Sequence, residues 1–249
     1  MNAIDYSVYL MNYQEKVKYV CLAGAALFMI GLIFYSNLVI AAVMACGGLF
    51  YPKYKSVDLR KKRQNELSLQ FKDALYLISS SLSVGKSLES AFTAALSDMQ
   101  VLYCDDNAYI IKELENICCK IQLNIAIEDL LQDFANRSGL EDIKNFAAVV
   151  QICKRTGGNL VQVIKNTSSI ISEKIEIGQE IELLLTKQKY EQKILNIMPV
   201  VFIALIKFGG SGYMDSLYSS GGGYFLMSIA LIIIAISVVV SRKIFEIRV

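Results

Sequence analysis

Two apolar regions, residues 20–51 and 194–240, flank a polar stretch, residues 52–193, that holds nearly all the charged side chains. No other feature constrains the fold as much. A bilayer's hydrocarbon core is about 30 Å thick and takes about 20 apolar helical residues to cross. The two ends therefore read as membrane anchors. The middle reads as one water-facing domain, long enough to bury a single core. Composition agrees, since 54% of the 249 residues are hydrophobic, too many for an ordinary soluble domain.

Residues 1–16 read as a cytoplasmic N-terminus and 17–51 as a transmembrane hairpin. The apolar run from Val20 to Tyr51 is too long for a signal-peptide core and is followed by basic residues. Ser36-Asn37 near its middle is a turn signal, predicting helices over 17–35 and 38–51. One tilted helix with an external N-terminus is the alternative. Lys53, Lys55, Arg60, Lys61, Lys62 and Arg63 face only Asp58, which places residues 52–193 in the cytoplasm. The C-terminal pair occupies 194–240, with Pro199 inside its first span and an external glycine-rich loop over 209–223. Arg242, Lys243 and Arg248 return the tail, residues 241–249, to the cytoplasm.

The polar middle has helical periodicity throughout. Leu67, Phe71, Leu75, Ile78 and Leu82 form the first apolar stripe, from about Gln64 to Gly85. Ser87 is placed to cap a second helix with Leu88, Ala91, Phe92 and Ala95 on its inner face. A third carries Ile110, Leu114, Ile117, Cys118 and Ile121, and a fourth Ile127, Leu130, Leu131 and Phe134. Ser138-Gly139-Leu140-Glu141 reads as a capping box opening a fifth, with Ile143, Phe146, Val149, Val150 and Cys153. Gly157-Gly158 then ends that helix, and Asn159 is placed to cap a sixth that runs to about Lys193 and into the next span. The fold class is therefore an all-α membrane protein: a six-helix cytoplasmic bundle flanked by transmembrane helices. The segments starting at Gly85, Asn124 and Gly157 echo one another, each with a flexible residue, a cap position and an apolar run.

Little in the sequence points to chemistry. Without a single His, the chain lacks the commonest general base and neutral metal ligand. A net charge of +2 makes no case for nucleic acid. Gly85-Lys86-Ser87 resembles the tail of a phosphate loop, but it follows a helical pattern rather than a strand. Glu173, Glu176 and Glu180 share a helix face and read as a solvated row before a cation site. The six cysteines include no CxxC pair and read as reduced, mostly buried thiols. No acidic residue lies inside the predicted spans and Lys207 is the only cation, which argues against an ion-coupled transporter. No cofactor, metal or catalytic residue is expected.

Three pieces together resemble the type II secretion system F domain, most closely the platform protein of Tad (Flp-type) pili, nearer the TadB than the TadC member. These are Leu82-Ser83-Val84-Gly85-Lys86-Ser87-Leu88 with Ala91, Leu130 through Gly139, and Arg155-Thr156-Gly157-Gly158-Asn159-Leu160. Met198-Pro199 and the ending Arg242 to Ile247 also fit. Asn124 stands where that family's pattern has glycine. The resemblance implies a bacterial inner-membrane platform with no chemistry of its own. Its implied partners are a cytoplasmic assembly ATPase, pilin subunits in the bilayer, and a paralogue or a second copy. Arg155, Thr156, Gly157, Gly158 and Asn159, with Gly85 and Ser87 at the equivalent earlier turn, are the candidate coupling residues. A membrane-bound scaffold or signalling protein, or a small transporter, is the alternative reading.

Overall fold

The computed structural model describes residues 4–8, 11, 13–105, 107–156, 160–209 and 221–246. Among these the chain is helical, with no strand. The helices are α1 (Tyr13–Tyr35), α2 (Leu38–Cys46), α3 (Tyr51–Ser83), α4 (Leu88–Tyr103), α5 (Tyr109–Gln122), α6 (Ile127–Ser138), α7 (Glu141–Thr156), α8 (Leu160–Gly209) and α9 (Gly221–Glu246). A 3-10 turn, Gly47–Phe50, joins α2 to α3. The chain divides into two compact units. One comprises Met1–Leu10 and Ser56–Ile177, the other Met11–Lys55 and Gly178–Val249.

The first unit is a helical bundle around one apolar core. Every inward position expected on α3, α4 and α6 is buried. Phe71 meets Phe134 and Phe146 edge-on, at 6.2 and 5.7 Å between ring centroids. Ile143, Phe146, Ala147 and Val150 of α7 and Ile164, Ile171 and Ile175 of α8 complete this core. The α3 helix starts at Tyr51, thirteen residues before the apolar stripe that revealed it. Pro52 is no obstacle in its first turn, where a missing N–H breaks no helical bond.

Two polar side chains serve the core from a distance. Gln70 is buried, and its Oε1 accepts from the Ile110 N–H at 3.1 Å. It thereby caps α5, whose own N-cap, Ala108, has no side-chain acceptor. Gln64 Nε2 donates to the Ser138 carbonyl at 3.0 Å. The capping box expected at Ser138 does not form. Ser138 ends α6, and its hydroxyl donates back to the Ala135 carbonyl at 2.9 Å. Gly139, left-handed at φ 65°, stops α6 there, so Glu141 becomes the first residue of α7 rather than its third.

Among the described residues three apolar helices are of membrane length, and of Val161–Gly209 only the part from Gly178 belongs to the second unit. Tyr13–Tyr35, Val161–Gly209 and Gly222–Ser241 each contain a window long and apolar enough to span a bilayer. The first apolar stretch breaks at Ser36, left-handed at φ 48°, and Asn37 caps α2 by accepting from the Val39 N–H at 2.9 Å. α1 and α2 then pack with almost no side chain between them. A Cβ on Gly31 would lie 2.7 Å from Ala41 Cα, and one on Gly48 2.8 Å from the Gly24 nitrogen. This is the small-residue contact by which helices pack in lipid. At the far end of α1, the Lys207 ammonium donates to the Leu32 carbonyl. Tyr35 stacks on Tyr224 at 6.3 Å and shares a 2.7 Å hydrogen bond with Ser228. The ends of α1 and α8 and the start of α9 thus meet on one side of the unit. The glycine-rich loop falls mostly on residues 210–220, outside the described residues.

Of the cysteines expected to be mostly buried, Cys118 and Cys153 are, whereas Cys21, Cys46, Cys104 and Cys119 are exposed. Cys21 and Cys46 sit on apolar helices whose outer surface needs no protein cover if it meets lipid.

Candidate functional site

The α3–α4 and α5–α6 connections have one backbone design. Gly85 has φ +88°, and Asn124 has φ +61°. The Gly85 N–H donates to the Leu82 carbonyl at 3.0 Å and the Lys86 N–H to the Ser81 carbonyl at 3.3 Å. After α5, the Asn124 N–H donates to the Ile121 carbonyl at 2.9 Å and the Ile125 N–H to the Lys120 carbonyl at 3.2 Å. Both are Schellman endings, in which a left-handed residue turns the last carbonyls back into use. The asparagine at 124 therefore does the glycine's work, as asparagine tolerates this conformation better than other side chains. Three residues later each next helix begins on a buried apolar side chain, Leu88 or Ile127.

The caps differ. Ser87 Oγ accepts from the Ser90 N–H at 3.2 Å, while Ala126 offers no acceptor. That hydroxyl is committed to helix capping, and the segment follows α3 rather than a strand, so Gly85-Lys86-Ser87 lacks the setting of a phosphate loop.

The third sequence-equivalent turn joins α7 to α8. Gly157, Gly158 and Asn159 lie outside the described residues. Thr156 closes α7, and Arg155 beside it is exposed. One residue earlier, the Lys154 ammonium reaches Glu128 at 3.0 Å and Glu89 at 3.5 Å. Glu89 is the second residue of α4 and Glu128 the second residue of α6. One lysine thus draws the starts of α4 and α6 to the last turn of α7, at one end of the bundle.

Each charge suits its helix end, acidic at a positive N-terminus and basic at a negative C-terminus. Burial opposes the charge on Glu128, but backbone hydrogen bonding and Lys154 outweigh it, leaving its pKa below the ordinary carboxylate value. Burial likewise opposes the charge on Lys154, and Glu128 and Glu89 raise its pKa in spite of it. All three groups are partly solvated, so the pairs register helix ends more than they stabilise them.

The surface here is mixed. Val84 and Leu123, each preceding a left-handed residue, are exposed, as is Ile125. A groove of about 670 Å³ runs from this end between α4 and α5, lined by Lys86, Glu89, Ser90, Thr93, Ala94, Ser97 and Ile121. It contains no nucleophile paired with a base. Among the described residues no group of three or more His, Cys, Asp or Glu side chains could hold a metal. In the acidic row on α8, Glu176 pairs with Lys72 at 2.9 Å and Glu173 accepts from Ser169 at 3.4 Å.

The sequence predicts the turn at Gly85, the cap at Ser87 and the kinship of Asn124, but not the contacts of Lys154 with Glu89 and Glu128. The available signal was an acid at the second position after two of the echoing turns, with a lysine just before the third. Comparison with family models, curated proteins and solved structures gave no match.

Proposed function

We propose that the chain is a bacterial inner-membrane platform protein of a Tad (Flp-type) pilus or type II-like secretion machine. In this reading it couples a cytoplasmic assembly ATPase to the insertion or extraction of pilin subunits and performs no reaction itself. The observation that carries the proposal is α8, one helix of 50 residues. Its first part places Ile164, Ile171 and Ile175 in the bundle core, and its last part is a membrane-length apolar segment. At 1.5 Å per residue such a rod is about 75 Å long. It is suited to relaying displacement from water into lipid. The helix carries Pro199 without interruption, as spanning helices can when neighbours satisfy the freed carbonyl.

The basic residues from Lys53 to Arg63, with Arg242 and Lys243, support a reading in which a six-helix bundle and the C-terminal tail face the cytoplasm. The end gathered by Lys154 is the surface offered to the ATPase, with Arg155, Thr156, Gly157, Gly158 and Asn159 feeding directly into α8. Pilin subunits meet the bilayer part, and a paralogue or a second copy completes the platform.

Deleting the gene tests this. Surface filaments should be lost while pilins accumulate in the membrane, and the solubilised protein should retain an ATPase of the secretion class. Normal filaments after deletion would refute the reading.

A further inference from the structure

Residues 4–8, Ile-Asp-Tyr-Ser-Val, carry no motif, yet Tyr6 fastens them to the bundle. Tyr6 is 0% exposed. Its N–H donates to the Arg137 carbonyl at 2.8 Å, and its hydroxyl donates to Glu113 Oε1 at 3.1 Å. Its ring meets Tyr109 edge-on at 5.7 Å, and the Arg63 guanidinium lies over both rings at 4.7 and 5.1 Å. Arg60 donates to the Ser7 carbonyl at 3.2 Å.

Beneath the segment is a buried ion pair. Glu113 is 3% exposed and accepts two hydrogen bonds from Arg137, at 2.8 and 2.7 Å. Arg137 also donates to Asp133 at 3.0 Å and to the Ile4 carbonyl at 3.0 Å. A buried carboxylate is tolerable only with its full set of donors, and a buried guanidinium only with its acceptors. Tyr6 supplies one of those donors and Ile4 one of those acceptors.

Four residues lie between Val8 and Tyr13, the first residue of α1. Because Tyr6 is buried in the bundle and Ile4 and Ser7 bond to it through their carbonyls, the chain between this segment and α3 must begin and end on one side of the membrane. We propose that residues 4–8 are a topology clasp. It closes only when α1 and α2 have entered the bilayer as a hairpin with both ends on the bundle's side, and it then locks that orientation. Glu113 lies 107 residues beyond Tyr6, so the contact can form only after α1, α2, α3, α4 and the start of α5 have been synthesised. A chain whose α1 inserts the other way strands Tyr6 across the membrane and leaves the Glu113–Arg137 pair short of a donor and an acceptor.

The full-length protein in its native membrane gives the test. A tag before residue 4 and a tag at the Asp105–Asn107 loop should be accessible from the same side. Hydrogen exchange of the full chain in detergent should show the Tyr6 amide protected. Tyr6→Phe and Glu113→Gln should speed exchange across residues 4–8 roughly tenfold or more, the scale of one hydrogen bond to a charged group. Protection in α4 and α7 should persist. If Glu113→Gln fails to fold, Tyr6→Phe removes only a hydroxyl and carries the same readout. Tags on opposite sides, an unprotected Tyr6 amide in the wild type, or exchange unchanged in Tyr6→Phe would each overturn the clasp.

Discussion

The two units bring helices together by opposite means. In the bundle, large side chains fill the space: Phe71, Phe134 and Phe146 meet at its centre, surrounded by leucine and isoleucine. In the α1–α2 hairpin, side chains are removed so that backbones touch, at Gly31 against Ala41 and Gly48 against Gly24. Apart from Phe34, which is buried, large apolar residues such as Leu22, Met29, Leu38 and Val43 point outward. The contrast follows from the solvent. Water drives large apolar groups inward, whereas lipid is as apolar as leucine, so close backbone contact is what remains to favour association. α8 carries both regimes along one rod, with Ile164, Ile171 and Ile175 buried and Ile194, Leu195, Ile197, Phe202 and Leu205 exposed.

Removing atoms should damage one region and adding atoms the other, by different amounts. The largest effect is expected from Phe146→Ala, which empties a fully buried site and should cost about 3–5 kcal/mol of unfolding free energy. The exposed Phe202→Ala should leave that value nearly unchanged. Denaturant titration of the purified full-length protein in detergent measures both, and equal losses would erase the distinction. Next comes Gly31→Val, which adds atoms where the other region cannot lose them. The overlap with Ala41 should cost about 1–3 kcal/mol, read as a lower midpoint in the same titration. A neutral Gly31→Val would mean the hairpin does not depend on backbone contact.

The smallest effects compare the two Schellman turns. Gly85→Ala should cost about 1–2 kcal/mol although open space surrounds the site, because the penalty lies in the left-handed backbone itself. Asn124→Gly should be neutral or slightly stabilising. A Gly85→Ala protein with unchanged stability would show that the turn relaxes into another conformation.

These regions were unequally legible in the sequence. The inward faces of α3, α4 and α6 could be read residue by residue, because helical periodicity is local and water enforces it. The cap at Ser87 and the kinship of Gly85 with Asn124 were legible for the same reason: a helix end is decided within about six residues. At Ser138 the local rule misled, because Gly139 ends α6 there and Glu141 falls at the first position of α7, so the Ser138 hydroxyl accepts from the Leu140 N–H instead of closing a capping box. The rest is held by partners far apart in the chain. Tyr6 reaches Glu113 across 107 positions, and Lys154 reaches Glu128 across 26. Nothing local marks Glu113 as buried, since it lies on a helix that carries other charges at its surface. Gly31 and Gly48 look like any glycines in an apolar run until α2 folds back.

Spin-label scanning along α8 in proteoliposomes tests the central claim most directly. The account expects accessibility with a 3.6-residue period from Ile164 to Ile175 and helical order without a break to Ile194. Beyond that, contact with dissolved oxygen should be high, and contact with a water-soluble nickel chelate low, as far as Ile206. Chelate access throughout 194–206, or loss of the helical period between 177 and 194, would contradict a rod that carries motion from the bundle into lipid.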